Sequence, residues 1–337
     1  MAALNKSNSS QASRDPLDEL VVRSVEPRDA GAVRALFRKI FNEDMSQRHW
    51  EWKYLRPQSR AVVVYKDDNL VAHYGGVGTD IILEGEKRTA MQIADLMVDP
   101  DVRHAVRSRS PFYLSGKMFL ESMVGYNKDF LLAYGFPSER AMGLSERLGF
   151  FAPVGRMIEI QWDTSKSKQS RLDKTVPVTK ENFNKYAADM DSLWKSFQGL
   201  FKDRIICRKD SSFVRWRYLE HPSKSYEVYL IKNQISGKPA ALLVLKFENG
   251  SVMLMDLVTR SLDLIKAINT ARYTAAESGK SQLISWCSDT FIDIFKTVNS
   301  RVKELPIIIP ACTATPGPPT ETQKMKWWFM PGDTDYL

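Results

Sequence analysis

Apolar and polar residues alternate along this chain in two rhythms, one of period two and one of period 3.6, and the sequence of rhythms runs through twice. In the first pass, residues 20–25 read as a strand. After Glu26-Pro27, Asp29 is placed to cap a helix whose Val33, Leu36, Phe37 and Ile40 share one face. An aromatic segment, Trp52-Lys53-Tyr54-Leu55-Arg56-Pro57, stops at its proline, and residues 60–65 and 70–77 form strands joined through Asp67-Asp68-Asn69, a hairpin signal. Residues 90–98 make a further strand. Ser110 then caps a helix that has Pro111 at its first position and Phe112, Phe119 and Met123 at helical spacing. Residues 130–134 are a strand, Gly135-Phe136-Pro137 a turn, and Ser138 caps a helix that ends at Gly149.

The second pass starts with Met190, Leu193, Trp194, Phe197 and Phe201 on one helical face. Trp216-Arg217-Tyr218-Leu219-Glu220-His221-Pro222 then repeats the earlier aromatic segment, displaced by 164 positions (216 − 52). A strand over 226–231 follows, and strands over 241–247 and 251–258 flank Asn249-Gly250, a strong two-residue turn. A helix over about 261–277, a strand over 283–287 and a helix capped at Ser288 complete the copy, which argues for tandem repeats of one α/β module. The expected organisation is a disordered tail over 1–19, an N-terminal module over 20–162, a polar linker over 163–182 and a C-terminal module over 183–337.

The halves differ at one place that matters for chemistry. Asp95-Leu96-Met97-Val98-Asp99-Pro100 ends a strand and leads through a loop bearing Arg103, His104, Arg107 and Arg109 to the helix opening at Ser110-Pro111. Backbone N–H groups and side-chain charge converge there as they do at phosphate sites. In the second copy only Thr259-Arg260 intervene before the expected helix, so an anion loop fits the first half alone.

The order strand, Val98-Asp99-Pro100, Arg103, loop, helix, second strand, then Leu144-Ser145-Glu146-Arg147-Leu148-Gly149-Phe150 resembles the GNAT superfamily of N-acetyltransferases over about residues 20–160. The resemblance implies an α/β fold of two tandem GNAT-like modules, each a mixed, mostly antiparallel central sheet flanked by helices, the second degenerate. It implies transfer of an acyl group from acyl-coenzyme A, acetyl or longer, to an amine on a small molecule, an amino sugar or a lipid-like acceptor. Leu96, Met97, Val98, Arg103, Arg107, Ser108, Arg109, Ser110 and Ser138 would hold the thioester carrier, with arginine forks on phosphate where Val106 and Ser108 replace the glycines of the family loop. Asp95 would act as the base, its pKa raised by partial desolvation. Ser145 stands where the family often has the tyrosine that protonates the leaving thiolate, and Tyr134 is a substitute for it. Trp52, Lys53, Tyr54, His73 and Tyr74 would border the acceptor. In some tandem members the C-terminus supplies a base, which here brings in Asp333, Asp335 and Leu337; a strand closing the second sheet is the simpler reading of that tail. A silent binding module and an aminoacyl-tRNA-dependent transferase are the alternatives.

Composition narrows this further. Of 337 residues, 43% are hydrophobic and 26% charged, the pattern of an ordinary globular protein. Lys and Arg outnumber Asp and Glu by 48 to 40, a net +8 that suits an anionic ligand or a peripheral contact with an anionic membrane. No recognised DNA- or RNA-binding module occurs, so nucleic acid is not the expected partner. Cys207, Cys287 and Cys312 form no disulfide framework and, with His49, His73, His104 and His221, no metal spacing, which points to a reducing, cytoplasmic setting without a metal. There is no Gly-x-Ser-x-Gly elbow, no Walker loop and no dinucleotide fingerprint, which sets aside hydrolase and nucleotide-hydrolysing classes.

Overall fold

A computed structural model describes residues 20–102, 109–165, 173–261, 264–296 and 300–334. The expected tail over 1–19 and the candidate phosphate ligands Arg103, Arg107 and Ser108 lie outside these residues, as do His104, Asp335 and Leu337.

The described residues form two seven-stranded sheets laid out on one plan. In the first, β1 (Val21–Ser24) is followed by α1 (Ala30–Phe41) and α2 (Gln47–Tyr54), then by the meander β2 (Ser59–Lys66), β3 (Asn69–Leu83) and β4 (Glu86–Val98). Both meander turns use left-handed residues, Asp67 and Asp68 at φ 47° and 64°, and Glu84 and Gly85 at φ 51° and 82°, as two-residue hairpins require. α3 (Pro111–Met123) crosses over so that β5 (Leu132–Tyr134) can run parallel to β4, and α4 (Glu139–Arg147) follows. Ser110 and Ser138 cap their helices as expected, accepting from the backbone N–H groups of Tyr113 at 3.2 Å and Ala141 at 3.3 Å. Asp29 precedes α1 but does not cap it by its side chain: its carboxylate accepts instead from Arg23, Tyr65 and the Glu26 N–H.

β6 (Phe151–Asp163) leaves for the other sheet. After it β7 (Asp173–Val178), α5 (Phe183–Gln198), β8 (Ile205–Cys207), α6 (Ser211–Val214), β9 (Glu227–Asn233), β10 (Pro239–Phe247), β11 (Ser251–Thr259), α7 (Ile265–Glu277), β12 (Gln282–Ser288), α8 (Ile292–Phe295), β13 (Arg301–Cys312), α9 (Thr320–Gln323) and β14 (Trp327–Trp328) follow in chain order. α6 runs on into one wide π-helical turn, Arg215–Leu219. The second sheet has the order β13-β6-β12-β11-β10-β9-β7, with β11 and β12 parallel where β4 and β5 are parallel in the first.

Three features differ from the pattern read in the sequence. The polar run over 163–182 is not all linker: β7 pairs along its length with β9, and its polar residues belong to a sheet edge with one wet face. The halves also exchange strands. β6, encoded in the first half, pairs with β12 and β13, while β8 and β14 of the second half extend the first sheet from Ile81–Leu83 of β3. The boundary at 162 therefore divides the sequence but not the sheets. Lastly, α7 starts at Ile265, later than expected, which lengthens the connection after β11.

Candidate active site

β4 and β5 pair only over Ala90–Leu132, Met91–Ala133 and Gln92–Tyr134. β3 continues beside β4 as far as Ala72–Val98, so residues 93–98 of β4 have a strand on one side and, among the described residues, none on the other. The two parallel strands splay apart. Such a splay exposes a backbone edge to which an extended ligand can add.

Within the splay β4 carries a bulge. Register passes from His73–Met97 to Gly75–Ala94, and Asp95 adopts φ 51°, a left-handed conformation that a non-glycine residue holds only when its surroundings fix it. They do so here. The Asp95 carboxylate accepts from Lys53 Nζ at 2.8 Å and Tyr54 Oη at 2.6 Å, both from α2, and the Asp95 carbonyl faces His73 Nδ1 at 2.8 Å. Gly75 makes the approach possible, since a Cβ there would lie 2.5 Å from both His73 Cε1 and Tyr54 Oη.

These contacts change the expected role of Asp95. Burial pushes its carboxyl up, but the Lys53 ammonium and the Tyr54 hydroxyl outweigh it and hold the group below the usual carboxylate range. A charged, doubly bonded carboxylate anchors the bulge and is not a poised base. His73 is the opposite case. Burial lowers its pKa, Nδ1 donates to the Asp95 carbonyl, and Nε2 is left as a buried lone pair with no hydrogen-bond partner among the described residues.

Other expectations are corrected by placement. Tyr134 is 1% exposed, stacks on Phe329 with ring centroids 5.0 Å apart, and sets its hydroxyl 3.4 Å from Cys207 Sγ; burial pushes its pKa well up, so it is a core residue and not an acid for a leaving group. Ser145 is buried on α4, and a serine hydroxyl is a poor acid at neutral pH. Trp52 does not wall an acceptor pocket. It stacks on Trp216 at 4.8 Å and donates from Nε1 to the Trp216 carbonyl at 3.0 Å, so the two copies of the aromatic segment meet each other at the seam between modules. Tyr54 and His73 sit on the α2 face of the sheet, whereas Tyr74 lies on the opposite face between Phe112 and Phe119 of α3. Leu96 faces the α3 core, Met97 the α1–α2 core, and Val98 a small cluster with Val71 and Ala72. Arg109 is exposed beside the capped N-terminus of α3.

The second module repeats the splay. β11 and β12 pair only from Ser251–Gln282 to Met253–Ile284, and β11 has a bulge beside Asp256, which accepts from Tyr218 Oη as Asp95 accepts from Tyr54 Oη. This second gap is filled by the chain itself. After β14, the turn Pro331–Asp333 packs against β11 and β12. Lys209 Nζ lies 2.6 Å from both Asp256 Oδ1 and Asp333 Oδ1, Arg217 donates to the carbonyls of Gly332 and Thr334, and Gln92 Nε2 of β4 donates to the Asp333 carbonyl at 2.9 Å. A side chain at Gly332 would overlap the Tyr218 hydroxyl. The tail thus does not add a strand to the second sheet, and Asp333, paired with Lys209 in the core, is not placed as a base. The sequence offered the tail as a base or as a strand, and nothing in it signalled that Asp333 would enter the second splay beside Asp256.

Among the described residues no group of three His, Cys, Asp or Glu side chains is placed to hold a metal ion, and no helix is long and apolar enough to cross a membrane. Residues 21–150 match the family model of the acetyltransferase (GNAT) domain, and the first module is a GNAT domain. No curated protein matches the chain in sequence. Solved structures share its fold over most of its length. One is a probable N-acyltransferase of Enterococcus faecalis, with TM-score 0.69, 12% identity, 88% of this chain and 72% of that one covered. Another is a GCN5-related N-acetyltransferase of Kribbella flavida, with TM-score 0.63, 13% identity and 87% and 71% covered. A third is the N-myristoyltransferase of Saccharomyces cerevisiae with bound myristoyl-CoA, with TM-score 0.55, 14% identity and 89% and 80% covered. The fold is that of acyl-transferring GNAT proteins.

Proposed function

We propose that the protein is an N-acyltransferase that takes its acyl group from an acyl-coenzyme A thioester bound in the β4–β5 splay and passes it to an amine. One observation carries this reading: of two equivalent splays, the second is filled by residues 331–333, while the first has no such filling among the described residues. Beyond the first splay lies the capped N-terminus of α3, whose first backbone N–H groups would meet the carrier's phosphates.

In this reading the amine nitrogen attacks the thioester carbonyl, the carbon–nitrogen bond forms, and the carbon–sulfur bond breaks with its electron pair leaving on sulfur. Backbone N–H groups along residues 93–98 polarise the carbonyl oxygen. We assign His73 Nε2 as the acceptor of the proton shed by the amine; burial lowers its pKa, and the charge of Asp95 beside it opposes that lowering. The acceptor is a small or lipid-like amine.

Binding of acetyl-, octanoyl- and myristoyl-coenzyme A, followed by calorimetry and thermal shift, tests the donor site: one site per chain with a raised melting temperature is expected. No heat and no shift at millimolar donor would end the proposal. Release of free thiol in the presence of amine panels tests the chemistry. A silent thioester-binding module is the second reading, favoured by the burial of Tyr134 and the serine at 145, and it predicts binding without thiol release at any amine.

A further inference from the structure

At the end of the β3–β4 hairpin away from the splay, the two modules flank an open cavity of about 800 Å³, within the usual size of a small-molecule site. It takes β4 at residues 87–89, four positions before the splay begins at 93, or about 13 Å along the strand. One side belongs to the first module. The other is α5 and the segment after β8.

Its chemistry is divided. Ile82 and Trp194, buried to 5% and 7% exposure, give it an apolar floor. Five cations line it, Lys87, Arg88, Lys128, Lys195 and Arg208, against two carboxylates, Asp80 and Asp210. Both carboxylates are already engaged by Arg208. Lys87, Lys128 and Lys195 are exposed and have no ion-pair partner among the described residues. Gln198 adds a second signal: its Oε1 is buried at this wall and accepts no hydrogen bond among the described residues. A buried amide oxygen without a donor costs free energy unless a ligand supplies one.

We infer that this seam cavity binds an organic anion, a sulfonate, carboxylate or phosphate ester with a flat or aliphatic body and one hydrogen-bond donor. The anionic group meets Lys128 and Lys195, the body lies on Ile82 and Trp194, and the donor reaches Gln198 Oε1. The site is separate from the thioester splay, and because its walls come from both modules a ligand there clamps them together.

The test uses 1-anilinonaphthalene-8-sulfonate, which combines the three features, titrated by fluorescence into the full chain. Saturable binding at one site per chain is expected, with a raised melting temperature. Lys128→Gln together with Lys195→Gln should weaken it about tenfold while the melting temperature without probe stays unchanged, and Gln198→Leu should weaken it further. Saturating acetyl-coenzyme A should leave the signal in place. Equal affinity in the double variant, displacement by acetyl-coenzyme A, or no saturable signal at millimolar probe would each overturn the assignment.

Discussion

Lys209 offers the sharpest test of how the tail is held. Its ammonium lies 2.6 Å from Asp256 and 2.6 Å from Asp333, and all three side chains are within 2% of full burial. Lys209→Met keeps most of the volume and removes the charge that bridges the two carboxylates. Breaking a buried ion pair from one side costs about 3–5 kcal/mol, because the surviving charge is left without its partner. The cost must depend on pH. Burial, with Asp333 adding to it and Lys209 opposing it, already pushes Asp256 up to about 6, and without the ammonium it rises further. A carboxyl raised in the folded state binds more protons there than when unfolded, so its favourable contribution is present at low pH and lost as pH rises through the folded value. Urea unfolding followed by tryptophan emission, to which Trp327 and Trp328 beside the tail contribute, should show a larger loss at pH 8 than at pH 5. A loss below about 1 kcal/mol at pH 8, or one that is the same at both pH values, would refute this account of the cluster.

Gly332→Ala puts a methyl group into the Tyr218 hydroxyl and should cost about 1–3 kcal/mol by overpacking, read as a lower melting temperature; an unchanged melt would mean that the tail does not sit in the second splay. His73→Gln should cut the rate of thiol release at least about tenfold with little change in donor affinity and should flatten the acid limb of the pH–rate profile, and a variant with wild-type rate would remove His73 as the proton acceptor. Asp29, held at about 2 by the Arg23 and Tyr65 bonds that outweigh its burial, contributes stability that is present above pH 4 and lost as pH falls towards 2. Acid unfolding of Asp29→Asn should lack that component, and identical acid profiles for the two proteins would count against the pairing.

Much of the plan was readable along the chain because it rests on local rules. The 3.6-residue spacing of Val33 and Leu36, the serines before α3 and α4 and the hairpin turns each depend on a few neighbouring residues. The repeated Trp-Lys/Arg-Tyr-Leu segment was visible as a repeat, but not as a contact: nothing in a spacing of 164 says that Trp52 and Trp216 stack face to face. Asp95 shows the limit most plainly. Its type and position on a strand suggested a base, yet its charge state is set by Lys53 and Tyr54, more than forty residues away in sequence and reached only through a bulge that Gly75 permits.

The order of elements and the doubling of the module follow from periodicity, caps and turns, which act over one or two turns of chain. The exchange of β6, β8 and β14 between sheets, the filling of the second splay by residues 331–333 and the pairing of Lys209 with two aspartates depend on surfaces that exist only after the modules pack. Burial and long-range charge decide those, and neither is a property of a residue's neighbours in sequence.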